Sequence, residues 1–405
     1  MSALAKRAVV LLSVVVIAFV TTGYVLGRSS DDKTFRALNV YTEVFEHIQR
    51  DYVDDPNMHQ VTAGALHGLL DSLDPQSGYM SPLEYNDFKE KSANKAKGEA
   101  GLALTRRFGY IAVISALPES PAQKAGLRPG DILEKIAGFT TGQMAIDQAR
   151  LLLSGDPGAV VKLSVIRRGK AEPQDMEIAL ARLPAPRLLE DKLQGDIIYL
   201  RVPSFEPGIT KLIRDKLAQA EHQGAHKLIL DLRDCSLGDM QEGISTAQLF
   251  VSSGTVATLK GQTIAPIISS ADPSKVAWTQ PMTVLIGNST AGPAEIVAAA
   301  IAGNHRGETV GDRTYGTASM QKLIPLDDGS ALILTVANYF TTAGKEIAAD
   351  GVAPTVEARP SLDDLAALNN QNPSGGTGQV VSPDDPVIRK AIEVLSGTNV
   401  MRKAA

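Results

Sequence analysis

Few side chains in this sequence could carry chemistry, and most of them stand alone. There is one cysteine, Cys235. Neither an intramolecular disulfide nor a cysteine-built zinc cluster can therefore form, and a lone thiol reads as a small buried residue rather than a nucleophile. His222 and His226 have the i,i+4 spacing with which a helix presents two ligands to zinc. Gly224 lies between them and ends the helix, and no Glu follows His222, so the pair reads as an exposed helix end. His305 follows a helix and has no acid partner by spacing. Ser289 and Thr290 stand just before an apolar helix that opens at Pro293, where Ser and Thr cap N-termini. Ser319 lies near a strand that holds Lys322, and on a strand Lys322 and its neighbour Gln321 point to opposite faces. Nothing here points to a metal or any other cofactor.

The elements that would position these groups are legible from periodicity. From about 195 onward, strands and helices alternate as in an α/β domain. Strands are expected at 197–202, 227–232 and 282–286, helices at 209–222, 240–251 and 293–302, and paired strands at 322–326 and 331–339. Residues 98–184 have another texture, short strands with Gly turns: 110–114, 132–136 and 160–166, and a short helix over 145–153. Before them, 34–72 carries two stretches of helical spacing, Leu38, Tyr41, Val44, Phe45, Ile48 and then Ala63, Leu66, Leu69, Leu70, separated by Asp54-Asp55-Pro56. Such faces must be buried against the body of the protein or a second copy. Ser81-Pro82-Leu83-Glu84 has the pattern of a capped helix start. Residues 89–98 read as a solvated linker, 361–384 as a second one, and 385–395 as a last amphipathic helix.

Composition sets the class. The chain has 405 residues, 44% hydrophobic and 21% charged, which excludes a fully disordered protein. A net charge of −5 and only 5% aromatic residues argue against nucleic acid as a partner. At the N-terminus, Lys6 and Arg7 precede an apolar run, Ala8 to Leu26, about 28 Å long as a helix. The basic flank predicts a cytoplasmic stub, a single uncleaved span within 1–28, and an exported remainder.

Four segments, in order, resemble the carboxyl-terminal processing, or tail-specific, serine peptidases. They are Leu73 to Tyr85, the PDZ-like Ser120 to Leu133, Leu228 to Arg233, and Val310 to Leu332. The resemblance spans about 34–396. It implies an α/β, mixed-sheet peptidase core over 185–360 with an inserted β-rich PDZ domain over 98–184, N-terminal helices over 34–97, and a terminal helical segment over 385–405. It places a carboxylate-binding loop at Gly101-Leu102-Ala103-Leu104, where backbone N–H groups would hold a polypeptide C-terminus and the peptide would add as a strand. It also implies that the N-terminal helices and the helix at 385–395 serve dimerisation.

The family's chemistry uses a Ser nucleophile and a neutral Lys base, and here the sequence departs from it. Glu295-Ile296 sets the register of the nucleophile segment, and the nucleophile position is then Gly292. The Lys position is Thr317, whose hydroxyl is no general base near neutral pH. Gln321 matches the Gln that supports the family's Lys and would have nothing to orient. Leu237 replaces the first Gly of the oxyanion loop, where losing a donor costs about 10²–10³ in rate. With the N-terminal span, these departures give the expectation of a membrane-anchored, periplasmic pseudopeptidase of this family, which binds polypeptide C-termini or a partner protein without cutting them. The alternatives are an active serine-type endopeptidase with chemistry relocated to Ser289, Thr290, Ser319 or Cys235, and an assembly partner forming a homodimer or a heteromer with an active relative.

Overall fold

The computed structural model describes residue 36 and residues 38–93, 98–142, 144–185, 187–193, 195–359 and 385–397. The apolar run Ala8–Leu26 and the linker at 361–384 lie outside the described residues. Among the described residues, no helix is long and apolar enough to cross a membrane.

Of the described residues, those up to Ala65 belong to one compact unit and those from Leu66 onward to a second. In the first, a helix over 38–51 leaves Leu38, Tyr41 and Val44 exposed. A further helix, Met58–Asp71, crosses the boundary.

The second unit is built around a six-stranded mixed sheet. Its strands run Leu189–Lys192, Ile197–Arg201, Lys227–Asp231, Met282–Ile286, Glu308–Gly311 and Val356–Glu357 in spatial order. The first pair is antiparallel and the rest are parallel. Parallel strands are covered on both faces, so their residues alternate between two cores rather than between core and solvent. Leu228, Leu230, Val284 and Ile286 pack with Ile213 and Leu217 of the helix Ile209–His222 and with Val297 of the helix Pro293–Gly303. Ile197, Tyr199, Ile229, Leu285 and Val310 face the other way, onto Val387, Ile388 and Ala391 of the helix Pro386–Leu395. The last helix therefore spends its apolar face as a lid on its own sheet. The apolar face expected to be open to a partner is thus covered within the chain.

A buried charge cluster ties this helix to the centre of the sheet. Asp231, fully buried at the end of the central strand, accepts from Tyr199 Oη at 2.6 Å and from Arg233 Nη2 at 2.7 Å. Arg233 Nη1 reaches Asp385 at 2.7 Å, and Asp385 also caps the terminal helix. Burial would raise the Asp231 carboxyl, but Arg233, Arg201 and Tyr199 outweigh it and hold it below its ordinary value.

A five-stranded sheet, which includes Ser319–Pro325 paired with Ala331–Phe340, packs beside the core. The PDZ-like region is a separate six-stranded sheet. Leu102–Arg107 forms its outer edge and pairs only with Tyr110–Ala116. Most expected elements appear within two residues of their predicted bounds. The helix expected over 240–251 ends sooner, at Ala247. Residues 89–93 are not linker but the end of the helix Pro82–Ala93, where Lys91 pairs with Asp87 at 2.8 Å. Its start is the expected capping box: Ser81 N donates to Glu84 Oε2 at 2.7 Å, and Glu84 N to Ser81 Oγ at 3.4 Å.

Candidate peptidase-like site and PDZ groove

The strand Met282–Ile286 runs through a tight loop into the helix Pro293–Gly303, and Gly292 is the residue before the helix. Its backbone sits at φ 57°, ψ −119°, a conformation that side-chain-bearing L-residues adopt only with strain. Space is not the obstacle. A Cβ built on Gly292 would lie 3.5 Å from Met240 Cε, 3.9 Å from Thr317 Oγ1 and 4.0 Å from the Ser236 carbonyl, all ordinary contacts. The two positions that the resemblance gives to nucleophile and base thus face each other, although 25 residues of chain separate them.

Glu295 holds that arrangement. It is fully buried and accepts four hydrogen bonds: from Gly292 N at 2.9 Å, Thr314 Oγ1 at 2.6 Å, Gly316 N at 2.6 Å and Thr317 N at 2.8 Å. Burial raises its carboxyl above the ordinary value, against the opposing pull of these donors. In the sequence Glu295 serves only to set the register. The signal for its role was present: an acid at the third helical position reaches back to the N-terminal backbone.

The remaining expectations divide. Gln321 does have something to orient. It donates to Ser319 Oγ at 2.8 Å, and Ser319 donates to the Thr317 carbonyl at 3.1 Å, so a short chain of bonds braces the Thr317 backbone. Ser319 thereby gives its proton to a carbonyl rather than to a base. Thr290 is not a helix cap. Its hydroxyl donates to the Leu232 carbonyl and accepts from Gly287 N, both at 2.9 Å, closing the loop onto the central strand. Ser289 is buried. Lys322 is exposed on its strand. His305 follows the far end of the helix Pro293–Gly303, about 16 Å away at 1.5 Å per residue. His226 lies beyond Gly224, which has φ 83° and ends the helix at His222.

Cys235 is wholly buried in the core, and burial drives its thiol far above the ordinary value. A protonated, enclosed thiol does not attack. Iodoacetamide is expected to leave the native protein unlabelled and to label it stoichiometrically in urea, as read by intact mass. Rapid labelling of native protein would reopen Cys235 as a nucleophile.

Leu237 retains a backbone N–H, as any non-proline residue does, so its effect lies in its side chain. It packs with Ala291 and Tyr315 of the core and with Ala103 and Ile114 of the PDZ sheet. Beside it, the Ser236 and Ser115 hydroxyls are hydrogen-bonded to each other. The PDZ sheet is therefore fastened to the loop that carries Ser236 and Leu237.

The carboxylate-loop residues occupy two sides of one edge. Gly101, at φ 77°, would place a Cβ 2.5 Å from Ser120 Cβ, so only glycine fits. Gly101, Leu102 and Leu104 line a cleft of about 860 Å³ that also takes in Arg150 and Leu151 of the helix Ile146–Leu152 and reaches Leu237. This is a groove between an unpaired strand edge and a helix, suited to an added peptide strand. The Ala103 side chain packs toward the peptidase-like core, so Ala103 contributes to the loop through its backbone.

Comparison with known proteins agrees with this architecture. Residues 196–358 match the model of peptidase family S41 and residues 113–167 that of the PDZ domain. The carboxy-terminal processing protease of Bacillus subtilis is 29% identical over 402 residues, 95% of this chain and 84% of that protein. The carboxy-terminal-processing protease of Bartonella bacilliformis is 27% identical over 339 residues, 82% and 78% of the two chains. A solved structure, the photosystem II D1 C-terminal processing protease, shares the fold with a TM-score of 0.65 at 23% identity, over 85% of this chain and 98% of its own. The chain thus carries a core of peptidase family S41 and a PDZ domain, and over most of its length it is similar to carboxy-terminal processing proteases.

Proposed function

We propose that this chain is a pseudopeptidase, which captures polypeptide C-termini in its PDZ groove and does not hydrolyse them. One observation carries the reading: Gly292 and Thr317 face each other across the place where a nucleophile and a base would meet. Glycine has no atom to acylate and threonine no basic nitrogen, while the Glu295 bonds that shape the site are all in place. The other hydroxyls and the thiol nearby are committed or enclosed, which weighs against relocated chemistry. In this reading Ala8–Leu26 anchors the protein once in the membrane and the bulk is extracytoplasmic, in the periplasm.

A second role, as assembly or regulatory partner, is favoured by the exposed Leu38, Tyr41 and Val44 of the N-terminal unit. That stripe could pair with a second copy or with an active relative.

The test uses the full chain in detergent with labelled, unstructured polypeptides. Fluorescence anisotropy is expected to rise with peptides ending in a free carboxylate and not with their amidated forms. Mass spectrometry is expected to find no new termini. Robust cleavage that disappears on changing Ser289, Ser319 or Cys235 would establish the active-peptidase alternative instead.

A further inference from the structure

We infer that the groove selects polypeptide ends that carry a lysine near the terminus, with Glu99, Glu206 and Ser204 as its acceptors. The inference rests on the peptide-binding reading above.

Glu99 belongs to the short PDZ-side strand Gly98–Glu99, two residues before the carboxylate loop. Glu206 belongs to the core, in the segment that leads to the helix Ile209–His222. Both line the same cleft. Among the described residues, neither side chain forms an ion pair or a hydrogen bond. They are close enough to act on each other: Glu206 is raised above its ordinary value by burial first, and then by the charges of Glu99 and Asp239. Both residues are exposed at the cleft; the unpaired like charge of Glu99 disfavours ionisation of Glu206, and a cation between them removes that penalty. The cleft's own cations do not. Among the described residues it contains four carboxylates, Glu99, Glu119, Asp147 and Glu206, against two guanidiniums, Arg150 and Arg187. Arg150 is already paired with Asp147 at 2.8 Å.

An independent observation points to a ligand at the same wall. Ser204, two residues before Glu206, is 2% exposed and lines the cleft, and its hydroxyl has no partner among the described residues. The hydroxyl is not sealed from solvent, so a ligand in the cleft can reach it. A lysine ammonium carries three donors, and Glu99, Glu206 and Ser204 supply one acceptor each. A peptide strand advances about 3.3 Å per residue, so a terminus held at Gly101 keeps such a lysine within its last few residues.

The test is a set of fluorescein-labelled octapeptides with one apolar C-terminal residue, in which Lys, Gln or Glu is placed at each of the four preceding positions. Binding to the full chain in detergent is read by anisotropy at low and high salt. At one position Lys is expected to bind about three- to tenfold tighter than Gln, and Glu more weakly than Gln. High salt is expected to shrink the difference. Glu99→Gln and Glu206→Gln should each reduce the ratio of Lys-peptide to Gln-peptide affinity, and the double change to Lys should favour the Glu peptide. Equal affinities at all four positions would overturn the inference while peptide capture stands. No binding by any peptide would overturn both.

Discussion

Installing a serine and a lysine together, Gly292→Ser with Thr317→Lys, is expected to raise peptide-bond cleavage at least about 10²-fold above the natural chain's background. The two side chains would project into one space: the Cβ direction of residue 292 passes 3.9 Å from Thr317 Oγ1 without a clash. The serine would stand at the N-terminus of the helix Pro293–Gly303, where the helix dipole favours a developing alkoxide. The lysine would enter a half-buried position, and desolvation there favours the neutral amine that a base requires. General-base activation contributes about 10²–10⁴, so a partial gain is the sensible expectation. Leu237, wedged between core and PDZ sheet, holds the gain down, and adding Leu237→Gly should raise it further. The gain has a cost in stability. A side chain at φ 57°, ψ −119° is strained by about 1–3 kcal/mol, visible as a lower urea midpoint. Gly292→Ala should show the same loss and no activity. Glycine at this turn avoids strain that any side chain there would have to bear. A folded double variant that stays at background would mean that 292 and 317 are not the pair the chemistry needs.

Glu295→Ala is expected to destabilise the protein by about 3–5 kcal/mol, measured as a shift in urea midpoint at unchanged slope. The carboxylate is the hub that joins the start of the helix Pro293–Gly303 to the segment Thr314–Thr317 through four hydrogen bonds. Its removal leaves buried donors unsatisfied, each a loss of about 1–3 kcal/mol before relaxation. Glu295→Gln keeps the volume, but its amide NH₂ must face donors, so it too should destabilise the fold, by less than alanine. Either change, added to the Gly292→Ser, Thr317→Lys double variant, should abolish the restored cleavage, since position 317 would no longer be held opposite position 292. A loss below about 1 kcal/mol for Glu295→Ala would show that the loop has another anchor.

The sequence by itself determined whatever rests on contacts within a turn or on the period of apolar residues. The strands Met282–Ile286 and Val160–Ile166 and the helix Ile209–His222 lie where their patterns put them. The Ser81–Glu84 box closes over three residues, as its spacing requires. The two halves of the candidate site were legible as positions, Gly292 and Thr317, because motif order survives in one dimension. What those positions touch was not. Thr290 has the chemistry of a helix cap, yet it bonds Leu232, 58 residues away. Gln321 has no lysine at the family's position to support, yet it braces Thr317 through Ser319. The helix Pro386–Leu395 has a face fit for a partner, and its own sheet covers that face. Leu237 meets the PDZ sheet, and Glu99 shares a cleft with Glu206, only because two separately cored sheets dock. Local hydrogen bonds and periodic burial are satisfied by neighbours in the chain, so residue order carries them. Pairings across tens of residues are chosen by which surfaces the packed layers bring together, and only the tertiary structure decides those.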